Sequence, residues 1–210
     1  MQWRASDEGR HDGTPGLEGW TFEFGHGRTS GRVRLTLDVV HGRAAFLADL
    51  FVGGQGRIVV ADESVPVPRA AAGLEIRAEG LWASMTCETP FEHWSLGLEA
   101  FGLRIDTGTA AGAGAAAGAA GGGDTDARDG IPAGDRGSWA ELRGERLPVG
   151  FDLEWELRAP PTALADGAGY TQRGVCFGDV LVARERIALD APASREHWWG
   201  GPRRRSGLRD

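Results

Sequence analysis

The sequence predicts an all-β chain folded as an antiparallel barrel, half-barrel or sandwich, and three observations carry that expectation. Large apolar residues alternate with polar ones along most of the chain, as with Val33, Leu35, Leu37 and Val39 against Arg32, Arg34, Thr36 and Asp38. A period of two places one side of a strand in a core and the other outside it. Glycine, at 34 of 210 residues, falls repeatedly between short apolar runs, where it favours turns over long helices. No segment offers a long stretch with the 3.6-residue period of an amphipathic helix. Counting the runs gives about ten strands at meander spacing, enough for a sheet to close around a small ligand.

Residues 1–18 are polar and read as an arm crossing the surface, ahead of a β domain over 19–202 and a basic tail over 203–210. Trp20, Phe22 and Phe24 alternate with Thr21 and Glu23 and open the first strand. After a turn over 25–31, the run 32–39 forms the second strand. His41-Gly42 supplies the next turn, and 43–52 is apolar enough to be central in a sheet. Gly53-Gly54-Gln55-Gly56 closes that hairpin, and 57–61 returns. Val65-Pro66-Val67-Pro68 reads as an extended crossing or an edge, because proline lacks the donor that a central strand needs.

Alternating runs follow at 74–79, 81–88 and 94–98, with a short one at Leu103 and Ile105. Residues 107–136 break the pattern with an Ala/Gly-rich tract. Each glycine there costs a helix about 1 kcal/mol relative to alanine, so the tract reads as a disordered, low-complexity insertion. Ser138-Trp139-Ala140-Glu141 has the form of a capping box and predicts one or two helical turns ending at Gly144. Val149, Phe151, Leu153, Trp155 and Leu157 then make the cleanest strand, stopped by Pro160-Pro161. The block 170–200 closes the chain as a further hairpin.

A formal net charge of −7 argues against a nucleic-acid partner, and Arg203-Arg204-Arg205 reads as a solvated tail. No apolar run reaches 18 residues and the N-terminus lacks a leader pattern, so a cytoplasmic chain without a membrane span is expected. Cys87 and Cys176 are far apart in strand-like runs and read as buried free thiols. No His-Glu-x-x-His, Cys-x-x-Cys or Gly-x-Ser-x-Gly pattern occurs, and Gly53-Gly54-Gln55-Gly56 opens a strand rather than a helix. No metal or cofactor is therefore expected.

The chemistry concentrates in Arg195-Glu196-His197-Trp198-Trp199-Gly200, where an imidazole lies beside two indoles and an ion pair. Such a block serves either as a proton-handling site with an aromatic wall or as an indole plug closing a barrel end. Glu196 or Arg195 would bias the imidazole. Tyr170, the only tyrosine, shares a strand face with Gln172, and Glu88 and Trp94 flank Pro90 at a strand end. These four read as core or turn anchors first and as ligand contacts second. His11, His26, His41 and His93 fall in turns or arms and read as exposed, and Asp152, Glu154 and Glu156 as a solvent face or polar cavity wall.

Three stretches carry a family resemblance. Glu79-Gly80-Leu81 through Cys87-Glu88-Thr89-Pro90-Phe91-Glu92-His93-Trp94 resembles the CEEPFRRW stretch of lipocalin-like proteins related to the hydroxyneurosporene synthase (carotenoid hydratase) and AttH group. The 147–155 run followed by Ala159-Pro160-Pro161 is similar to their PVGxDLEFEA…APP strand. Tyr170-Thr171-Gln172 with Gly174 and the 195–200 block is similar to their YEQxGxVxG…RDHSWG block. Order and spacing agree over most of 18–202.

The resemblance implies a lipocalin-like barrel, paired in that family with a second barrel half, and an apolar, isoprenoid- or lipid-like ligand. In the hydratase branch it implies water addition across a carbon–carbon double bond at a His-x-Trp motif, here His197 and Trp199. Glu196 stands where the family carries Asp, and Trp198 where it carries Ser. The leading expectation is a binder of an apolar small molecule contacted by Tyr170, Gln172, Trp198, Trp94, Glu88 and Arg195. The alternatives are a hydro-lyase or cyclase using His197, Trp199 and Glu196, or a half-unit completed by a second copy or a separate partner half.

Overall fold

The computed structural model describes residues 3–11, 16–69, 73–105, 142–165 and 167–200. The Ala/Gly tract, the capping box at 138–141 and the basic tail lie outside the described residues. Eleven strands form one antiparallel sheet: β1 Leu17–His26, β2 Thr29–Asp38, β3 Arg43–Val52, β4 Gly56–Pro66, β5 Ile76–Ala78, β6 Leu81–Thr89, β7 His93–Ile105, β8 Gly144–Leu157, β9 Thr162–Ala163, β10 Gly169–Val182 and β11 Glu185–Gly200. The all-β expectation is met. Gly144, expected to end helical turns, instead opens β8.

The order β4-β3-β2-β1-β11-β10-β8-β7 closes into a ring because Arg57, Ile58 and Val59 of β4 pair with Ile105, Arg104 and Leu103 of β7. That closure is short, so the ring is barrel-like rather than a regular barrel. The same edge of β7 pairs with β6 over its first half, and β6 carries β5. Pro66 ends β4 beyond the part that meets β7, where its missing N–H breaks no ladder on that side.

Alternation decides which residues fill the ring. Phe22, Phe24, Val33, Leu35, Leu37, Phe46, Leu96, Leu98, Phe151, Leu153 and Trp155 are all buried in one core cluster. Their polar neighbours, including Glu154 and Glu156, lie on the outer face, where Glu154 accepts bonds from His93 and Ser95. Hairpin turns use the left-handed conformation that glycine takes without a Cβ clash, as at Gly27 (φ 59°) and Gly42 (φ 67°). Ala183 (φ 55°) does the same in the turn between β10 and β11.

Two interior details make direct predictions. A Cβ on Gly174 would lie 2.4 Å from the Glu156 carbonyl oxygen and 2.4 Å from the Trp155 ring, and backbone cannot step aside. Gly174→Ala is therefore expected to lose about 1–3 kcal/mol of stability, read as a lower urea midpoint at unchanged slope. Neither cysteine is bridged. Burial pushes the Cys87 thiol up to about 11 and the Cys176 thiol to about 12. Cys176 is buried as expected, whereas Cys87 is only half-buried. Thiol reagent at pH 8 should label Cys176 only as the chain unfolds; rapid labelling of both thiols in the folded protein contradicts this packing.

Candidate functional site

One end of the ring gathers most of the polar side chains that the interior holds. The register of β1, β11 and β10 sets it up. Trp20, His197 and Tyr170 stand in one row across the three strands, and Phe22, Arg195 and Gln172 in the next. All six point inward and are almost wholly buried. Such burial of an arginine and a histidine requires partners, and the partners come from the N-terminal segment.

Residues 3–11 do not simply cross the surface. A 3₁₀ turn, Ala5–Glu8, lowers Glu8 into the ring end, where its side chain is 3% exposed. Glu8 Oε2 accepts from Arg195 Nη1 at 3.0 Å and from the Tyr170 hydroxyl at 2.8 Å. Glu8 Oε1 accepts from the Phe91 amide at 2.6 Å and from Arg195 Nη2. Arg195 Nη2 also donates to Gln172 Oε1, while Gln172 Nε2 donates to the Phe91 carbonyl at 3.0 Å. Both backbone groups of Phe91 are thus held, which stabilises its left-handed backbone (φ 64°), a conformation that costs a non-glycine residue about 1–3 kcal/mol.

A second acid completes the cluster. Glu18, near the start of β1, shares the inward face of Trp20 and is 5% exposed. Its Oε1 lies 2.8 Å from His197 Nε2 and 2.8 Å from His11 Nδ1, and the His11 amide donates to Oε2 at 2.9 Å. Burial would raise the Glu18 carboxyl, but the bonds from His11 and His197 outweigh it and hold the group below its ordinary range. Burial pushes His197 below its ordinary value against the opposing pull of Glu18, which leaves a neutral imidazole beside a carboxylate. Burial likewise raises the Tyr170 phenol, so it stays protonated and donates.

Aromatic rings enclose these groups. Trp20 stacks on His197 with centroids 4.5 Å apart, and Trp199 stacks on His11 at 4.0 Å. Trp3 covers Tyr170 at 4.9 Å. Beneath, the Arg195 guanidinium lies 4.9 Å from the Trp155 ring centroid and 5.4 Å from that of Trp94, within cation–π range. The indole N–H groups of Trp20, Trp94 and Trp155 and the Nε–H of Arg195 are buried with no acceptor among the described residues.

The structure therefore brings together His197, Trp199, Arg195, Tyr170, Gln172 and Trp94, and separates three other residues from them. Glu196 and Trp198 occupy the alternate positions of β11 and face outward. Trp198 is nonetheless buried on that side of the sheet: its ring covers Gly19, where a Cβ would meet it at 2.6 Å, and the Arg34 guanidinium lies 5.9 Å from its centroid. Glu196 thus does not bias His197; Glu18 does. Glu88 is exposed and accepts from Ser95 Oγ at 2.9 Å, outside the cluster. His11, expected in solvent, is half-buried within the site.

Sequence spacing did not point to Glu8, His11 or Phe91. For Glu18 a signal exists, since extending the alternation of Trp20 and Phe22 backwards by one step puts it on the core face. A groove of about 890 Å³ lies elsewhere, on the outer face beside Trp82, Gly97, Phe101, Pro148 and Leu181, and no residue of the cluster lines it. No family model, curated protein or solved structure matches the chain.

Removing one member of the buried pair leaves the other charge unpaired, a loss of about 3–5 kcal/mol. Glu8→Ala should therefore unfold at markedly lower urea than the parent. The double variant Glu8→Leu/Arg195→Leu should be more stable than Glu8→Ala alone. A double variant no more stable than Glu8→Ala contradicts the pairing.

Proposed function

We propose that the ring end beneath residues 3–11 binds a small, mainly apolar molecule that carries a hydrogen-bond-accepting oxygen. The observation that supports this reading is the set of orphaned donors: the N–H groups of Trp20, Trp94 and Trp155 and the Nε–H of Arg195, all buried. A buried donor left without an acceptor costs about 1–3 kcal/mol, and an oxygen lodged among these rings would serve those of the four donors that it reaches. The rings supply dispersion and apolar area to the rest of the molecule. The family resemblance of the 195–200 block, with its expectation of isoprenoid- or lipid-like ligands, agrees with that chemistry.

Binding is favoured over turnover by the surroundings of His197. One ring nitrogen faces Glu18, the other lies 3.5 Å from the Tyr170 hydroxyl, and Trp20 and Trp199 pack against the ring. Neither nitrogen is turned towards a substrate while residues 3–11 are in place. His197 and Trp199 do share the inward face of β11, as a His-x-Trp motif on a strand must.

The test is a tryptophan-fluorescence titration of the chelator-treated full chain with farnesol, and with farnesene as the matched hydrocarbon without oxygen. Farnesol should bind more tightly than farnesene. Trp94→Phe and Trp155→Phe, which keep the ring and delete one donor, should each weaken farnesol by roughly fivefold, about 1 kcal/mol. Equal affinity for the two probes, or Phe variants that bind like the parent, rejects the reading.

A further inference from the structure

His11, Glu18 and His197 come from three separate places in the chain and point one ligand-capable atom each at a common centre. His11 Nδ1, Glu18 Oε1 and His197 Nε2 all lie within 4.8 Å of one another. Glu18 Oε1 sits between the two imidazole nitrogens, 2.8 Å from each. We propose that these three side chains form a binding site for a divalent first-row transition-metal ion. Two imidazoles and one carboxylate are a donor set that zinc, iron, cobalt and their neighbours take readily, and calcium or magnesium do not.

The hydrogen-bond inventory around His197 calls for positive charge, which a second proton or a metal ion can bring. The Tyr170 hydroxyl donates its only proton to Glu8 Oε2 at 2.8 Å, so towards His197 Nδ1 it offers lone pairs alone. A neutral imidazole has one N–H for two demands. If the proton is on Nε2, Glu18 is served and two lone pairs face each other across 3.5 Å at Tyr170. If it is on Nδ1, Tyr170 is served, and the Nε2 lone pair meets the Glu18 carboxylate at 2.8 Å. A metal ion between Nε2 and Oε1 resolves the second arrangement and makes both contacts favourable.

That arrangement also has the outer partner that a metal-bound imidazole usually keeps. His197 would donate Nδ1–H to Tyr170, whose oxygen is fixed by Glu8 and by Arg195 Nη1 at 3.3 Å. The stack of Trp199 on His11 and of Trp20 on His197 fixes both rings. Sequence spacing hides the site, because His11, Glu18 and His197 form no short motif.

The experiment uses the full chain without an affinity tag, stripped with chelator and titrated with Co²⁺. One equivalent should bind, giving visible ligand-field absorption bands and a raised melting temperature, because an ion that binds only the folded state stabilises it. His11→Ala should weaken Co²⁺ by more than the roughly 10–100-fold that losing an outer-shell partner costs. Glu18→Gln, which keeps shape and removes the anionic ligand, should do the same, with circular dichroism confirming that both variants are folded. His41→Ala is the control, since that imidazole is exposed and bonded to Asp38. The proposal is overturned if one equivalent produces no bands, or if folded His11→Ala and Glu18→Gln bind like the parent. It is overturned equally if His41→Ala loses as much affinity as His11→Ala. The farnesol titration is run without metal, so the ligand reading and the metal site stand or fall separately.

Discussion

The charge on Arg195 governs the architecture of this ring end. A guanidinium 2% exposed, on an inward position of a central strand, loses its hydration on folding, and the loss amounts to several kcal/mol unless it is paired and hydrogen-bonded. The sheet cannot supply the counter-charge, because the inward positions beside Arg195 are Phe22 on one side and Gln172 on the other. Glu8 supplies it from outside the sheet. The 3₁₀ turn at Ala5–Glu8, the bonds to Phe91 and the inward set of Tyr170 are then consequences of one ion pair. Trp94 and Trp155 complete the solution by turning π faces to the cation where no second acid is present.

This dependence ties the N-terminal segment to the fold more closely than its composition suggests. A polar stretch rich in charged residues looks dispensable, yet it carries Glu8 for Arg195 and His11 for Glu18. Each contact spans a different part of the chain: Glu8 reaches β10, β11 and the β6–β7 turn, and His11 reaches β1 and the ring of Trp199. The segment cannot leave without stranding charged groups on β1 and β11 and the Tyr170 hydroxyl on β10. Its cohesion with the ring is electrostatic and aromatic rather than aliphatic.

How much of this was legible depends on the physical origin of each feature. Strands such as β2 and β8 were readable because a period of two is local and one face must be dry. The same rule, applied within the 195–200 block, puts Arg195, His197 and Trp199 on one face and Glu196 and Trp198 on the other. Grouping that block by adjacency therefore assigned His197 the wrong acid. Glu8 and Glu18 were not legible as its neighbours, because their meeting with β11 depends on which strands pair, and pairing is fixed by the whole chain. The boundary at residue 18 hid Glu18 by ending the arm one alternation too late.

The two buried acids differ in what they face, and that difference separates structure from function. Glu8 meets a permanent cation and two further donors, so every one of its contacts is satisfied within the protein. An arrangement of that kind holds a fold together and has little left to offer a ligand. Glu18 meets two imidazoles, and one of them, His197, also has its second nitrogen beside Tyr170. Nitrogen lone pairs, a carboxylate oxygen and a dry aromatic enclosure respond to whatever cation enters. Beside them stand indole and guanidinium N–H groups that lack an acceptor. The ring end is thus complete around Glu8 and unsaturated at the indole and Arg195 Nε–H groups and at the Glu18–imidazole cluster, and a binding role belongs to those unsaturated groups.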